Sequence, residues 1–343
     1  MRLFKNGFIE FFLCYNNKLK KAVYEMKIKD FVIYATTVAL ITSGTTFHLC
    51  KAKAVQLNQY IKSSVESIQD DDFQVTAHRG FSSLEVENTK EAISLAADEE
   101  YIDYIEIDAR LTKDNKIVLS HNNALSKTRD YAQYISGLTY EEVMQTEFSY
   151  EIFPFEKIVW NDEDHYLVLD RRFQLWNRPF HLVGLQEGLK ACKDKKILLD
   201  LKFDNNIEIF TNELLQELDG VDMSNVIVQS LDLKGIQYVQ EHTPYNCLAL
   251  INHSSDLHYM EDFENIGIPY RLMSPEIVEY VKDNDKMLAV WTINNTTALY
   301  DVIEKAGNYY KDIIYITDYP DLIVTRLHEK EDKKEKKLTR RYS

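Results

Sequence analysis

The chain has 343 residues, 45% hydrophobic and 12% aromatic, which allows one large buried core or two small ones. A formal net charge of -15 argues against nucleic acid as the partner, because binding its phosphates needs a basic surface. The charge is uneven: residues 1–54 hold nine Lys/Arg against three Asp/Glu and residues 328–343 hold seven against four, so the acidic excess sits between them as a solvated surface.

Residues 31–50 form a run without a charged side chain, near the length needed to cross a bilayer. Lys18, Lys20, Lys21, Lys27 and Lys29 precede it, which by the positive-inside rule leaves the N-terminus in the cytoplasm. A second reading starts at Met26. There Met-Lys-Ile-Lys-Asp leads into an apolar core and then Ala52-Lys53-Ala54, the layout of a secretory signal peptide. A buried helix of the globular part is the third reading. Signal anchor and signal peptide both put the rest of the chain outside the cytoplasm, membrane-anchored or secreted. Cys50 lacks the preceding small residue of a bacterial lipidation site.

Residues 55–72 read as a polar spacer ending in Asp70-Asp71-Asp72. After it, strand-like runs alternate with helical patterns. Residues 75–77 form a short apolar run that ends on His78-Arg79-Gly80, and Glu87-Asn88 open a helix over 90–98. Residues 104–109 form a second strand, in which the two-residue period points Glu106 and Asp108 to one face. Residues 116–120 read as a third strand, with His121 just past its end. The region 148–180, rich in aromatic and acidic residues and containing Trp160 and Trp176, is expected to cover the mouth of the fold. Further strands are expected at 197–201, 226–229, 247–251, 287–293 and 313–316. The run 270–273 is one more than needed and is assigned to connecting structure. The alternation predicts an α/β fold, a TIM (β/α)8 barrel over 73–327, followed by a charged, disordered tail at 328–343. Of the four cysteines, Cys192 and Cys247 fall in the barrel and are expected as buried free thiols, a disulfide between them being the alternative.

Glu106, Asp108 and Asp200 fall at the ends of neighbouring strands, where uncompensated carboxylates would repel one another. Salt bridges to Arg79, Arg110 or Lys202 are one solution. A shared hard cation, Ca²⁺ or Mg²⁺ rather than zinc, is the other, and His78 and His121 beside them favour it. Imidazoles at strand ends next to carboxylates suit proton transfer near neutral pH.

These residues resemble the glycerophosphodiester phosphodiesterase family. The resemblance rests on His78-Arg79-Gly80, Glu87-Asn88, Glu106-Ile107-Asp108, Thr112-Lys113-Asp114 with Val118 leading to His121, and Leu199-Asp200-Leu201-Lys202. Val228-Gln229-Ser230, Val290-Trp291-Thr292-Ile293-Asn294 and Ile316-Thr317-Asp318-Tyr319-Pro320 follow in the family's order. It implies a TIM barrel that releases sn-glycerol 3-phosphate from glycerophosphodiesters. It also implies His78 and His121 as acid and base without saying which is which, and Glu106, Asp108 and Asp200 as ligands of Ca²⁺ or Mg²⁺. Arg79 and Lys202 are implied as phosphate contacts, with Glu87 supporting the metal site or capping the helix, and Trp291 packing on the glycerol or in the core.

Three positions depart from the family pattern: Asn122 stands for Asp, Asp200 for Glu and Val86 for Pro. The expected substrates are deacylated phospholipids or glycerol-phosphate polymers of a cell wall. A phospholipase-type enzyme (lysophospholipase D or inositol-lipid lyase) is an alternative, and a barrel that binds glycerophosphate groups without cleaving them is another.

Overall fold

The computed structural model describes residues 73–128, 131–148, 158–161, 166–169, 179–204 and 206–329. The uncharged run at 31–50, the spacer at 55–72, the tail from 330 and most of the 148–180 region lie outside these residues. Among the described residues, no helix is long and apolar enough to cross a membrane.

The strands are β1 (Gln74–Ala77), β2 (Tyr104–Leu111), β3 (Ile117–Leu119), β4 (Ala124–Thr128), β5 (Tyr131–Tyr134), β6 (Ile158–Asn161) and β7 (Tyr166–Leu169). They continue as β8 (Lys196–Leu201), β9 (Val226–Ser230), β10 (Asn246–Leu250), β11 (Asn265–Pro269), β12 (Leu288–Trp291) and β13 (Ile314–Thr317). The helices are α1 (Lys90–Ala97), α2 (Tyr140–Gln145), α3 (Leu185–Ala191), α4 (Ile207–Glu217), α5 (Leu233–His242), α6 (Pro275–Asp283) and α7 (Thr296–Ala306), with a last one over 320–329. The chain divides into two compact units. Of the smaller, the described part is the antiparallel hairpin β6–β7; the larger holds the barrel.

The barrel is closed by eight parallel strands in the order β1-β13-β12-β11-β10-β9-β8-β2, with β2 pairing back onto β1. Its helices start where the sequence supplies acceptors for their free N–H groups. Thr89 caps α1, Asp232 caps α5 by accepting from Lys234 and Gly235, and Ser274 caps α6 ahead of Pro275. The two-residue period sorts the strand side chains. Ile105, Ile107, Ile197, Leu199, Val226 and Val228 share one large apolar cluster with α1, α3 and α4. Their alternates Tyr104, Leu198, Ile227, Leu248, Ala289 and Ile314 form a separate cluster inside the barrel. Continuing that inner parity toward the strand ends leads from apolar residues to Glu106, Asp108, Asp200 and Gln229. At the middle of β11 the interior has no room for a side chain: a Cβ on Gly267 would lie 2.7 Å from a Leu250 methyl and 3.0 Å from one of Leu248.

Two expectations are corrected. The strand read at 116–120 is β3, which pairs antiparallel with β2 and is not one of the eight. The reason is length. The short segment after β2 closes as a turn, in which Thr112 accepts from the Lys116 N–H at 3.0 Å and Asn115 takes φ 62°, whereas a parallel return needs a crossover of a dozen residues or more. The missing barrel strand is β11, directly before the 270–273 run, which is itself a 3-10 turn at Tyr270–Leu272. Gly267 and Pro269 disguise it, since neither favours a strand.

At the ends of the 148–180 region, Phe148 and Phe180 exchange two backbone hydrogen bonds of 2.9 Å, which holds those two residues together. The expectation that this region covers the mouth falls on residues outside the description. Cys192 and Cys247 are free and buried as expected, and burial pushes both thiols up to about 12.

Candidate active site

The C-terminal ends of the strands gather the predicted residues in one pocket. His78, Glu106, Asp108, His121, Asp200 and Lys202 line it, with Arg79, Gln229 and Trp291 among the remaining wall. Asp108, Asp200 and Gln229 stand side by side in register across β2, β8 and β9. Ligand oxygens of Glu106, Asp108 and Asp200 all lie within 4.8 Å of one another.

Arg79 and Lys202 compensate this cluster in part. Lys202 Nζ sits 2.8 Å from Asp108 Oδ1 and 2.6 Å from Asp200 Oδ2. Arg79 Nε lies 3.3 Å from Asp108 Oδ2, and its Nη1 donates to Glu87 at 3.0 Å. The salt-bridge and cation readings of the sequence are therefore not exclusive. Three buried carboxylates face two cationic side chains, one of which is shared with Glu87. Arg110 belongs to neither reading, because it pairs with Asp204 instead.

The electrostatics follow from that shortfall. Asp108 lies in a buried site that opposes its ionisation, yet Lys202 and Arg79 outweigh this and hold it below the ordinary carboxylate range. Glu106 is held well above that range by burial, then by Asp108 and Asp200. Burial raises Asp200 to about 6, Asp108 adding to it and Lys202 opposing. One oxygen, Asp200 Oδ1, is buried without a hydrogen-bond partner. An all-oxygen cluster with an uncompensated charge and an orphaned oxygen fits a hard divalent cation.

A stability test follows. In metal-free protein, folded Asp200 keeps its proton between about pH 4 and 6 while the unfolded chain loses it. The folded state then binds more protons, so stability falls as pH rises through this window, by about 3 kcal/mol for this one group. About 1 kcal/mol of that loss falls above pH 5.5, so chelated protein should melt roughly 2–4 °C lower at pH 7.5 than at pH 5.5, and a saturating divalent cation should restore the loss at pH 7.5. Equal melting at both pH values, unmoved by cation, would mean the cluster is neutralised internally.

The two histidines flank the cluster. His78 follows β1, with Nδ1 2.7 Å from Asp318 Oδ1 and Nε2 3.9 Å from Glu106 Oε2. Asp318 is itself held by Ser82 Oγ at 3.1 Å and Asn294 Nδ2 at 2.7 Å. His121 follows β3, with Nδ1 2.9 Å from Asn122 Oδ1, so the position that departs from the family pattern still supplies an acceptor. Burial lowers the His121 pKa, with Arg79 and Lys202 acting in the same sense and Asp108 opposing.

The remaining predicted residues take defined places. Glu87 neither caps α1 nor reaches the carboxylate cluster; it pairs with Arg79. The helix cap is Thr89. Asn88 instead donates to Asp108 Oδ2 at 2.7 Å and accepts from the Asp108 N–H at 2.9 Å. Trp291, at the end of β12, lines the pocket with its indole Nε1 unpartnered and buried, as is Gln229 Oε1. The sequence gives no separate site role to Asp318, Asn88 or Asn294, and it offers Arg110 only as a salt-bridge partner of the carboxylates. Asp318, Asn88 and Asn294 lay inside recognised motifs, but only the fold shows what each one touches.

The Glycerophosphoryl diester phosphodiesterase family model matches residues 78–322. The chain is 26% identical to YhdW of Bacillus subtilis (strain 168) over 262 residues, covering 73% of this chain and 96% of that protein. It is 25% identical to the glycerophosphodiester phosphodiesterase of Caldanaerobacter subterraneus subsp. tengcongensis over 263 residues, again 73% and 96%. Among solved structures, phosphodiesterase OLEI02445 of Oleispira antarctica, in complex with the product sn-glycerol-3-phosphate, shares the fold. The TM-score is 0.57 at 19% identity, covering 74% of this chain and 96% of that one. A family-model match from residue 78 to residue 322, well over half of the chain, shows that this chain belongs to the glycerophosphoryl diester phosphodiesterase family and is a phosphoric diester hydrolase.

Proposed function

We propose that the enzyme hydrolyses glycerophosphodiesters to sn-glycerol 3-phosphate and an alcohol, using His78 and His121 for proton transfer. The observation that carries this reading is the pair of imidazoles flanking one cluster of three carboxylates and two cationic side chains. Glu106, Asp108 and Asp200 would hold Ca²⁺ or Mg²⁺. When bound, such an ion supplies positive charge against the phosphate oxygens.

The chain's own groups do the rest. Asp318 accepts from His78 Nδ1 and Asn122 from His121 Nδ1, which leaves each Nε2 free to exchange a proton with substrate. His121, lowered by burial, starts neutral and takes the proton of the glycerol hydroxyl beside the ester as that oxygen attacks phosphorus. His78 enters this step with a proton on Nε2 as well as on Nδ1 and gives the Nε2 proton to the departing alkoxide, and the alcohol leaves behind a cyclic phosphate. Water then opens the ring: His78 takes the water proton and His121 returns its own to the glycerol oxygen. Arg79 and Lys202 border the phosphate position and offset its charge, while Trp291 forms a flat wall for the glycerol carbons.

The test is release of glycerol 3-phosphate from glycerophosphocholine and glycerophosphoethanolamine with Ca²⁺ or Mg²⁺, then with chelator. Release that stops on chelation is the expected result. Tight calorimetric binding of glycerophosphocholine without turnover would replace it with the binding-barrel reading. Failure of both would move the substrate to lysophospholipids or wall polymers. The basic stretch and uncharged run before residue 51 support a barrel that works outside the cytoplasm, anchored or secreted.

A further inference from the structure

We infer that Arg110 is the positioning residue of His121, and that Asp204 braces it. The inference rests on the proposed role of His121. Glu106, Asp108 and Arg110 alternate along β2, so the guanidinium projects to the carboxylate face, one step nearer the strand end than Asp108. It does not join the carboxylate cluster. Its Nε and Nη2 both donate to the backbone carbonyl of His121, at 3.0 and 2.6 Å. On its other side Nη1 is held by the Asp204 carboxylate, beyond the end of β8. The side chain is 10% exposed.

A planar fork is the one side chain that can grip a carbonyl with two donors and a carboxylate with a third. The grip falls between two anchored ends of the turn, because beyond His121 Asn123 O accepts from the Ile135 N–H at 2.8 Å and Asn123 Oδ1 from the Ser136 N–H at 3.1 Å. The Ser120 N–H donates to Asp108 O at 2.9 Å, and Ser120 Oγ to Asn122 O at 2.9 Å. His121 itself leaves the sheet and presents its ring from a single turn. Without the fork, its imidazole keeps only the hydrogen bond to neighbouring Asn122, which moves with it. Arg110 also ties this turn to the β8 end, where the Lys202 N–H bonds Ala109 O at 3.0 Å. The loops carrying His121 and Lys202 are thereby held in one frame.

A double-mutant cycle on the full chain tests this, with glycerophosphocholine as substrate. Arg110→Gln should lower kcat roughly 10- to 100-fold, the scale of a misplaced catalytic group, with KM and the cation-induced rise in Tm unchanged. In a His121→Ala background it should change the residual rate by less than about twofold, since the group it positions is gone. Arg110→Lys, which cannot fork, should recover only part of the rate. Should Arg110→Gln fail to melt cooperatively, Asp204→Asn carries the same cycle with a smaller loss. Full activity in Arg110→Gln, or an equal loss in both backgrounds, would overturn the inference. An active His121→Ala would instead remove the reading of the histidine on which it rests.

Discussion

Asp108→Asn should remove the bound cation and the hydrolytic activity together. Asp108 is 1% exposed and is the carboxylate that both cationic side chains hold ionised. Its two oxygens already serve Asn88, Arg79 and Lys202, so an amide in its place would turn a donor toward one of them and lose the charge a hard ion needs. The fold should survive, because Lys202 keeps Asp200 and Arg79 keeps Glu87 as partners. The expected result is cation stoichiometry falling from one toward zero, a Tm no longer raised by cation, and kcat lower by about 10³. Cation retained at full occupancy would sink the ligand assignment whatever happened to the rate.

His78→Ala should cost about 10² to 10⁴ in kcat while leaving cation binding intact, because the imidazole lies beside the carboxylate cluster and not within it. Asp318 makes a finer test. Its carboxylate accepts at Nδ1, which fixes the tautomer with Nε2 facing the pocket. Asp318→Asn removes the negative charge that favours a second proton on the ring, and its amide nitrogen can face Nδ1, so the doubly protonated imidazole that serves as acid is disfavoured. The expected loss is then nearly that of His78→Ala, with KM and the melting behaviour little altered. A substitution at Asp318 that leaves kcat unchanged would show that the ring is oriented without this carboxylate.

The two corrections to the strand assignment share a cause. β3 has the apolar composition of a barrel strand, and β11, with Gly267 and Pro269, does not. Composition reports whether a segment can be buried, and connection length decides whether it can run parallel. The residues between β2 and β3 allow only a hairpin. His121 consequently reaches the pocket from an antiparallel extension of β2, where a polar fork on β2 can hold it. Asp204 lies beyond the last motif residue of its strand, and nothing in local sequence marks it as the partner of Arg110.

What local sequence carried was chemistry tied to short period: Glu106 and Asp108 two apart on one strand, histidines at strand ends, and an inner face passing from apolar to acidic. Those features depend on neighbours along the chain, so they are legible without a fold. Which cation-bearing side chain meets which carboxylate depends on closure of the barrel, which sets β2 beside β8 and β13 beside β1. Closure gave Lys202 to Asp108 and Asp318 to His78, and through Asp204 it gave Arg110 to the turn of His121. Pairings between residues separated by as many as 240 positions are contacts of the closed sheet, and no spacing along one strand encodes them.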